Sequence, residues 1–221
     1  MSTPVEVQTA INAAPYDANS AQILERYVAT QLSSGTYDFA ANKALMKNYQ
    51  ASSASSGSKM DVLTDVLTLS LMRLPSTDYL ALSYLLPGKI TDCPKLVLIQ
   101  KYAEFLEKAQ YKQFWAEYAT SKESFSRAKG FESSIRNCIL MNLSVTFSAV
   151  ETSTIAPMLG LDGAELKSFL SNAKELVETV TDAIVRLKPN DENQSGGGVA
   201  GQVVTSAVDV MRKKLEASAG I

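Results

Sequence analysis

The hydrophobic period of this chain changes once, across residues 130–161. Upstream, apolar residues recur at helical spacing. Downstream, β-branched runs appear for the first time. The stretch opens with Gly130, Phe131 and Glu132 and contains the least polar long segment of the sequence, 135–150. A chain with such a change combines two architectures, and this segment is the join. The expectation is one buried helix, shared by the last helical pair and the smaller domain that follows.

The upstream part reads as paired helices. Ile23, Leu24, Tyr27, Val28 and Leu32 line one face of a helix at 21–32, and Phe39, Leu45, Met46 and Tyr49 one at 37–50. A serine-rich connector, 51–58, is flexible by composition. Helices follow at 59–74 (Val62, Leu63, Val66, Leu67, Leu69, Leu71) and 79–86, punctuated by Pro75 and Pro87. The next, 95–108, is apolar on most of its surface and is expected to be central. Another spans 111–119. The second helices of the pairs begin near Tyr37, Tyr79 and Tyr111, 42 and 32 residues apart, within the range of two-helix solenoid repeats. A hairpin of this kind cannot bury its face alone, and stacking solves that.

Beyond the join, the order is a short strand at 151–154, helices at 155–161 and 163–172, and β-branched runs at 175–179 and 183–187 around a turn. That is the order of a winged helix. The expected fold is therefore mostly α: a HEAT-like helical repeat domain followed by a small winged-helix (α+β) domain. The segments are a flexible leader (1–14), the helical repeats (15–129), the winged helix (130–188), and a glycine-rich linker with a C-terminal helix (189–221). That last helix, 203–216, carries Val203, Val204, Ala207, Val210, Met211 and Leu215 on one face.

The residues offer little chemistry. Histidine is absent, which removes the commonest general base and metal ligand. Cys93 and Cys138 form neither a zinc spacing nor a redox pair, and read as reduced, buried thiols. There is no phosphate-binding glycine loop and no nucleophile elbow. Glu104 and Glu107 share a helix face with Lys101 and Lys108, a solvated charge pattern and not an acid/base pair. No catalytic, cofactor-binding or metal-binding residue is expected, and the protein reads as a non-enzyme. The net charge of −2 gives no global attraction for nucleic acid. Residues 89–129 lean basic, eight against five, but 130–188 hold seven acids and five bases. The would-be recognition helix, 163–172, offers one outward lysine, Lys167, beside Glu165. Phe105, Tyr111, Phe114, Trp115 and Tyr118 sit at core spacing and not as a base-stacking platform. Residues 1–7 lack the pattern of a signal peptide. The segment 135–150 is interrupted by amides and hydroxyls and is too short to span a bilayer.

What remains is surface for assembly. The run 183–187 reads as an edge strand of a small sheet, and an edge is a pairing surface in a scaffold. The expected interface residues are Ile184, Val185 and Leu187 on that strand, with Val210 and Met211 on the last helix.

Helical repeats followed by a winged helix resemble the PCI-type scaffolds of translation initiation factor 3, the COP9 signalosome and the proteasome lid. Particular residues narrow the resemblance to the subunit-k family of eukaryotic initiation factor 3. They are Pro15, Tyr16, Asp17 and Asn19; Leu24 to Val28 with Gln31; Tyr37, Asp38, Asn42 and Leu45; and Tyr49 and Gln50. Further on come Gln113, Phe114 and Trp115; Gly130, Phe131 and Glu132 with Ile135 and Arg136; and Leu161 to Ala164 with Leu166. The strand pair around Val177 and Ile184 also fits. The likeness covers about 15–189 and departs from the family at 51–58 and 195–201. It implies a non-catalytic cytoplasmic subunit at the periphery of that complex, beside the l subunit, contacting the small ribosomal subunit only indirectly. The charge pattern adds the expectation of weak or no direct RNA binding. The alternatives are a small subunit of the signalosome or lid, and a winged-helix nucleic-acid adaptor.

Overall fold

The structure is a computed structural model that describes residues 4–12, 17–51, 57–86 and 93–194. It divides into two compact units, Met1–Ile139 and Leu140–Ile221.

In the first unit, α1 (Pro4–Asn12) precedes three helical hairpins: α2 (Ala18–Ser34) with α3 (Phe39–Ala51), α4 (Gly57–Leu71) with α5 (Asp78–Ser83), and α6 (Pro94–Glu107) with α7 (Tyr111–Ser121). The second helices begin close to the positions expected. The helices α2, α4 and α6 touch in succession, and each also packs on its own partner. The segment expected as a loose leader is instead largely helical. Val7 and Ala10 of α1 are buried, and the helix rests on α2 and α3.

Local signals set the helix ends. The Asp17 carboxylate accepts from the backbone N–H groups of Asn19 (3.3 Å) and Ser20 (3.0 Å), capping α2. Gly35 closes α2 at φ +72°, a left-handed position that glycine takes without a Cβ penalty, and its N–H reaches the Gln31 carbonyl. Pro94 opens α6 at its first turn.

The sequence reading makes the fifth helix central. The structure gives that place to α4, which touches α2, α3, α5 and α6. Leu63, Val66, Leu67, Leu69 and Leu71 are buried, and so are Thr64, Thr68 and Ser70. The three hydroxyls donate to carbonyls of their own helix, at Met60, Thr64 and Leu67. A hydroxyl that back-bonds to its own helix enters a core without an orphaned donor. In α6, Val97 remains exposed.

The helix α8 (Phe131–Thr146) begins in the first unit and ends in the second, because the division falls between Ile139 and Leu140. The expected single helix over 135–150 ends early. Ala149–Glu151 forms β1, followed by α9 (Thr152–Leu159), α10 (Gly163–Asn172), β2 (Val177–Val180) and β3 (Ile184–Leu187). The three strands form an antiparallel sheet in the order β1-β3-β2. Val150 and Val180 both face Val185 across it, and the register of β2 shifts between Val177 and Thr179. Val150, Val177, Val185 and Leu187 are buried, as are Ile155 and Leu159 of α9 and Leu166 and Leu170 of α10.

Candidate assembly surfaces

Most residues that carried the sequence likeness are structural. Gln31 on α2 and Asn42 on α3 are fully buried and exchange side-chain amides. Gln31 Nε2 donates to Asn42 Oδ1 (2.9 Å), and Asn42 Nδ2 donates to Gln31 Oε1 (3.2 Å). Gln31 Oε1 also accepts from the Asp38 backbone N–H at 2.9 Å. Tyr49 donates to Glu25, and Asn48 Nδ2 donates to the Asp17 carbonyl. Burial pushes the Tyr49 phenol above its usual range, so it serves as a donor. Together these bonds fix the first hairpin at its two ends.

A second group surrounds Glu132 near the start of α8. Its carboxylate pairs with Lys122 (2.6 Å) and Arg136 (3.1 Å), and accepts from the Tyr118 hydroxyl (3.3 Å). The Lys122 ammonium, chiefly, holds that carboxyl below its ordinary value. Arg136 also lies over Trp115, 4.8 Å from the ring centroid. Tyr102, Phe114, Tyr118, Phe125 and Phe131 are buried and pack ring against ring. Of the aromatics weighed as a stacking platform, Tyr111, Phe114 and Tyr118 are buried, and Phe105 and Trp115 are half-buried.

Five of the eight bases in 89–129 are ion-paired. Lys95 pairs with Asp61, Lys101 with Glu117, Lys108 with Glu104, Lys122 with Glu132, and Arg127 with Asp65. On α10, Lys167 pairs with Asp182 at 2.6 Å. Phosphate binding needs clustered bases that are free to release counterions, and these face carboxylates. Among the described residues no group of three or more Cys, Asp or Glu is placed to hold a metal ion. No described helix is long and apolar enough to cross a membrane.

The strand expected at the sheet edge lies in its middle. β3 is hydrogen-bonded to β1 on one side and β2 on the other, so it has no free edge to offer. Val185 and Leu187 point into the core, while Ile184 on the opposite face is 41% exposed. Alternation of side chains along a strand separates these neighbours. Val210 and Met211 lie outside the described residues.

Apart from Val5 on α1 and Val97 on α6, the exposed large apolar side chains among the described residues fall into two sets. In the first unit, Leu80 and Tyr84 flank a groove of about 410 Å³ between α5 and α6, floored by Leu67 and Leu96. In the second, Met141 and Val145 protrude from α8, Phe147 follows it, and Ile184 stands on the sheet. Leu80, Met141 and Val145 continue the helical periodicity of α5 and α8, so spacing alone does not separate them from core positions.

Stacked α-hairpins, a small antiparallel sheet and exposed apolar side chains describe a protein built for packing. Residues 58–188 match the CSN8/PSMD8/EIF3K family, and the chain belongs to that family. Among its relatives, the Dictyostelium discoideum protein named eukaryotic translation initiation factor 3 subunit K is 28% identical over 191 residues, covering 86% of this chain and 76% of its own. Proteins of the same name from Bombyx mori (30% over 156 residues, 70% and 71% covered) and Drosophila erecta (31% over 157 residues, 70% and 69%) are similarly close.

Proposed function

We propose that this chain is a non-catalytic scaffold subunit of the eukaryotic translation initiation factor 3 complex. It would support assembly of the preinitiation complex on the small ribosomal subunit through protein–protein contacts, in the cytoplasm. The observation that carries this reading is the similarity over most of the chain to proteins that bear the subunit K name. The succession of α2, α4 and α6 with their partners supports reading the first unit as HEAT-like repeats. The order α8, β1, α9, α10, β2, β3 supports reading the second as a winged helix. The ion-paired lysines favour protein over RNA as the direct partner.

The neighbouring subunit we assign is the l subunit, and the described residue we assign to that contact is Ile184. With β3 enclosed, the contact is made by the open face of the sheet and not by strand addition. Proline at Ile184 would break the sheet itself, so Ile184→Asp is the cleaner probe. Affinity purification of the tagged full chain, followed by mass spectrometry, tests the proposal. Initiation factor 3 subunits are expected, with the l subunit depleted for I184D at an unchanged circular dichroism spectrum. Recovery of signalosome or lid subunits instead, or salt-sensitive RNA binding with no protein partner, would overturn the reading.

A further inference from the structure

An apolar floor and an acidic wall meet in the groove between α5 and α6. Leu80 and Tyr84 stand one turn apart on its α5 side, 50% and 78% exposed. Leu67 and Leu96 beneath them are buried, so the floor is apolar. The α6 wall carries Glu104 and Glu107, three residues apart and therefore neighbours on that helix. Among the described residues that line the groove there is no lysine or arginine. Glu104 is paired with Lys108, whereas Glu107 forms no ion pair among the described residues. Burial first, and the Glu107 carboxylate second, push the Tyr79 phenol up to about 12. That carboxylate thus acts on a ring that itself lines the groove.

These features define what fits. The walls are helices whose backbone N–H and C=O groups are used internally. An extended peptide would find no ladder there and would leave its own backbone unpaired against an apolar floor. A helix arrives with its backbone satisfied and presents a row of apolar side chains. With its side chains a helix is about 10–12 Å across, so a groove of about 410 Å³ receives one row of them and not the whole cylinder. The acidic wall then meets the flank of that row, where Lys or Arg is complementary and Asp or Glu is repelled. Met141 and Val145 are also exposed and one turn apart, on α8, but Asn137, Asn142 and Thr146 around them are uncharged. A second copy of this chain therefore offers no such match from α8.

We propose that the groove between α5 and α6 is a docking site for a basic amphipathic helix of a partner protein. Leu80 and Tyr84 grip its apolar row, and Glu107 pairs with a lysine or arginine beside that row. An ion pair at an exposed rim adds little strength, so the apolar row supplies most of the affinity and Glu107 selects the sign of the partner's charge. The groove lies in the first unit, whereas Ile184 lies in the second, so the two contacts are separate surfaces. The groove contact goes beyond the scaffold reading without resting on it.

The experiment is fluorescence anisotropy of labelled model peptides titrated with the full chain. The probe is a helix-forming peptide of about 18 residues with leucine at i, i+3, i+4 and i+7 and lysine on both flanks of that row. One control carries glutamate in place of lysine, and another has the same composition with the leucines moved off the helical period. The lysine peptide binds saturably and at least about tenfold more tightly than either control. Leu80→Asp places a charge against the apolar row and weakens that binding by at least about tenfold. Glu107→Gln weakens it by about threefold and lowers its salt dependence. Tyr84→Asp, at the more exposed of the two apolar positions, gives a loss like that of L80D and keeps the test open if L80D unfolds. Equal affinity for the lysine peptide and either control would overturn the proposal, as would a folded L80D or Y84D that binds like the wild type. Absence of saturable binding to the wild type would overturn it too.

Discussion

Asn42→Ala is the substitution that tests most directly how the first hairpin is held. Asn42 is fully buried, and it removes from Gln31 both an acceptor and a donor. Two hydrogen bonds of about 1 kcal/mol net each are lost, and the Gln31 Nε2 donor is left in the core at a cost of about 1–3 kcal/mol. These contributions overlap, so the expected loss is about 2–4 kcal/mol, or about 8 °C in Tm for a unit of this size. Trp115 is the sole tryptophan and lies in the same unit, so its fluorescence follows the right transition in a urea titration. The double variant Q31L/N42L replaces the amide pair by apolar groups of similar shape. It leaves only the Asp38 N–H without its acceptor, so it recovers more than half of the loss. A loss below about 1 kcal/mol for N42A, or strict additivity of Q31L and N42L, would refute the claim that the two amides act as one unit.

Glu132→Gln removes the charge that Lys122 and Arg136 share. Because the folded carboxyl lies below its ordinary value near 4.5, its contribution is present above that pH and is lost as pH falls through the folded value. The variant is therefore less stable by up to about 1 kcal/mol at pH 7, and the gap closes toward about pH 3. A gap independent of pH, in urea titrations at both values, would contradict the assignment. For the cysteines, burial pushes the Cys138 thiol up to about 11, and Cys93 is only half-buried. Iodoacetamide at pH 8 should alkylate Cys93 well before Cys138, as read by peptide mass spectrometry. Equal labelling of the folded protein would show that α8 opens readily around Cys138.

The comparison of sequence with structure turns on particular elements. The bounds of α10 coincide with the expected 163–172 because its signals are local: Asp162 precedes it, and Leu166 and Leu170 recur one turn apart. Helix α1 was not legible, because nine residues with a few small apolar side chains become a helix only where α2 and α3 supply a surface. The centrality of α4 was hidden by Thr64, Thr68 and Ser70, which read as polar until their hydroxyls turn back onto their own helix. Gln31, Asn42, Glu25 and Tyr49 were visible as residues of the family likeness, but their role was not. Pairing across eleven and twenty-four positions is a property of the folded hairpin.

The sequence by itself determined the helical pairs, the change of architecture after 130, the poverty of catalytic chemistry and the family likeness. Each of these depends on periodicity, composition or residue order, which are local or countable. Only the tertiary structure decided that β3 is enclosed by β1 and β2, that Val185 and Leu187 belong to the core while Ile184 does not, and that Lys95 and Arg127 of the basic run pair with Asp61 and Asp65 of α4. Those outcomes depend on which distant segment arrives alongside, and strand order and ion pairing are fixed by packing and not by the spacing of residues along the chain.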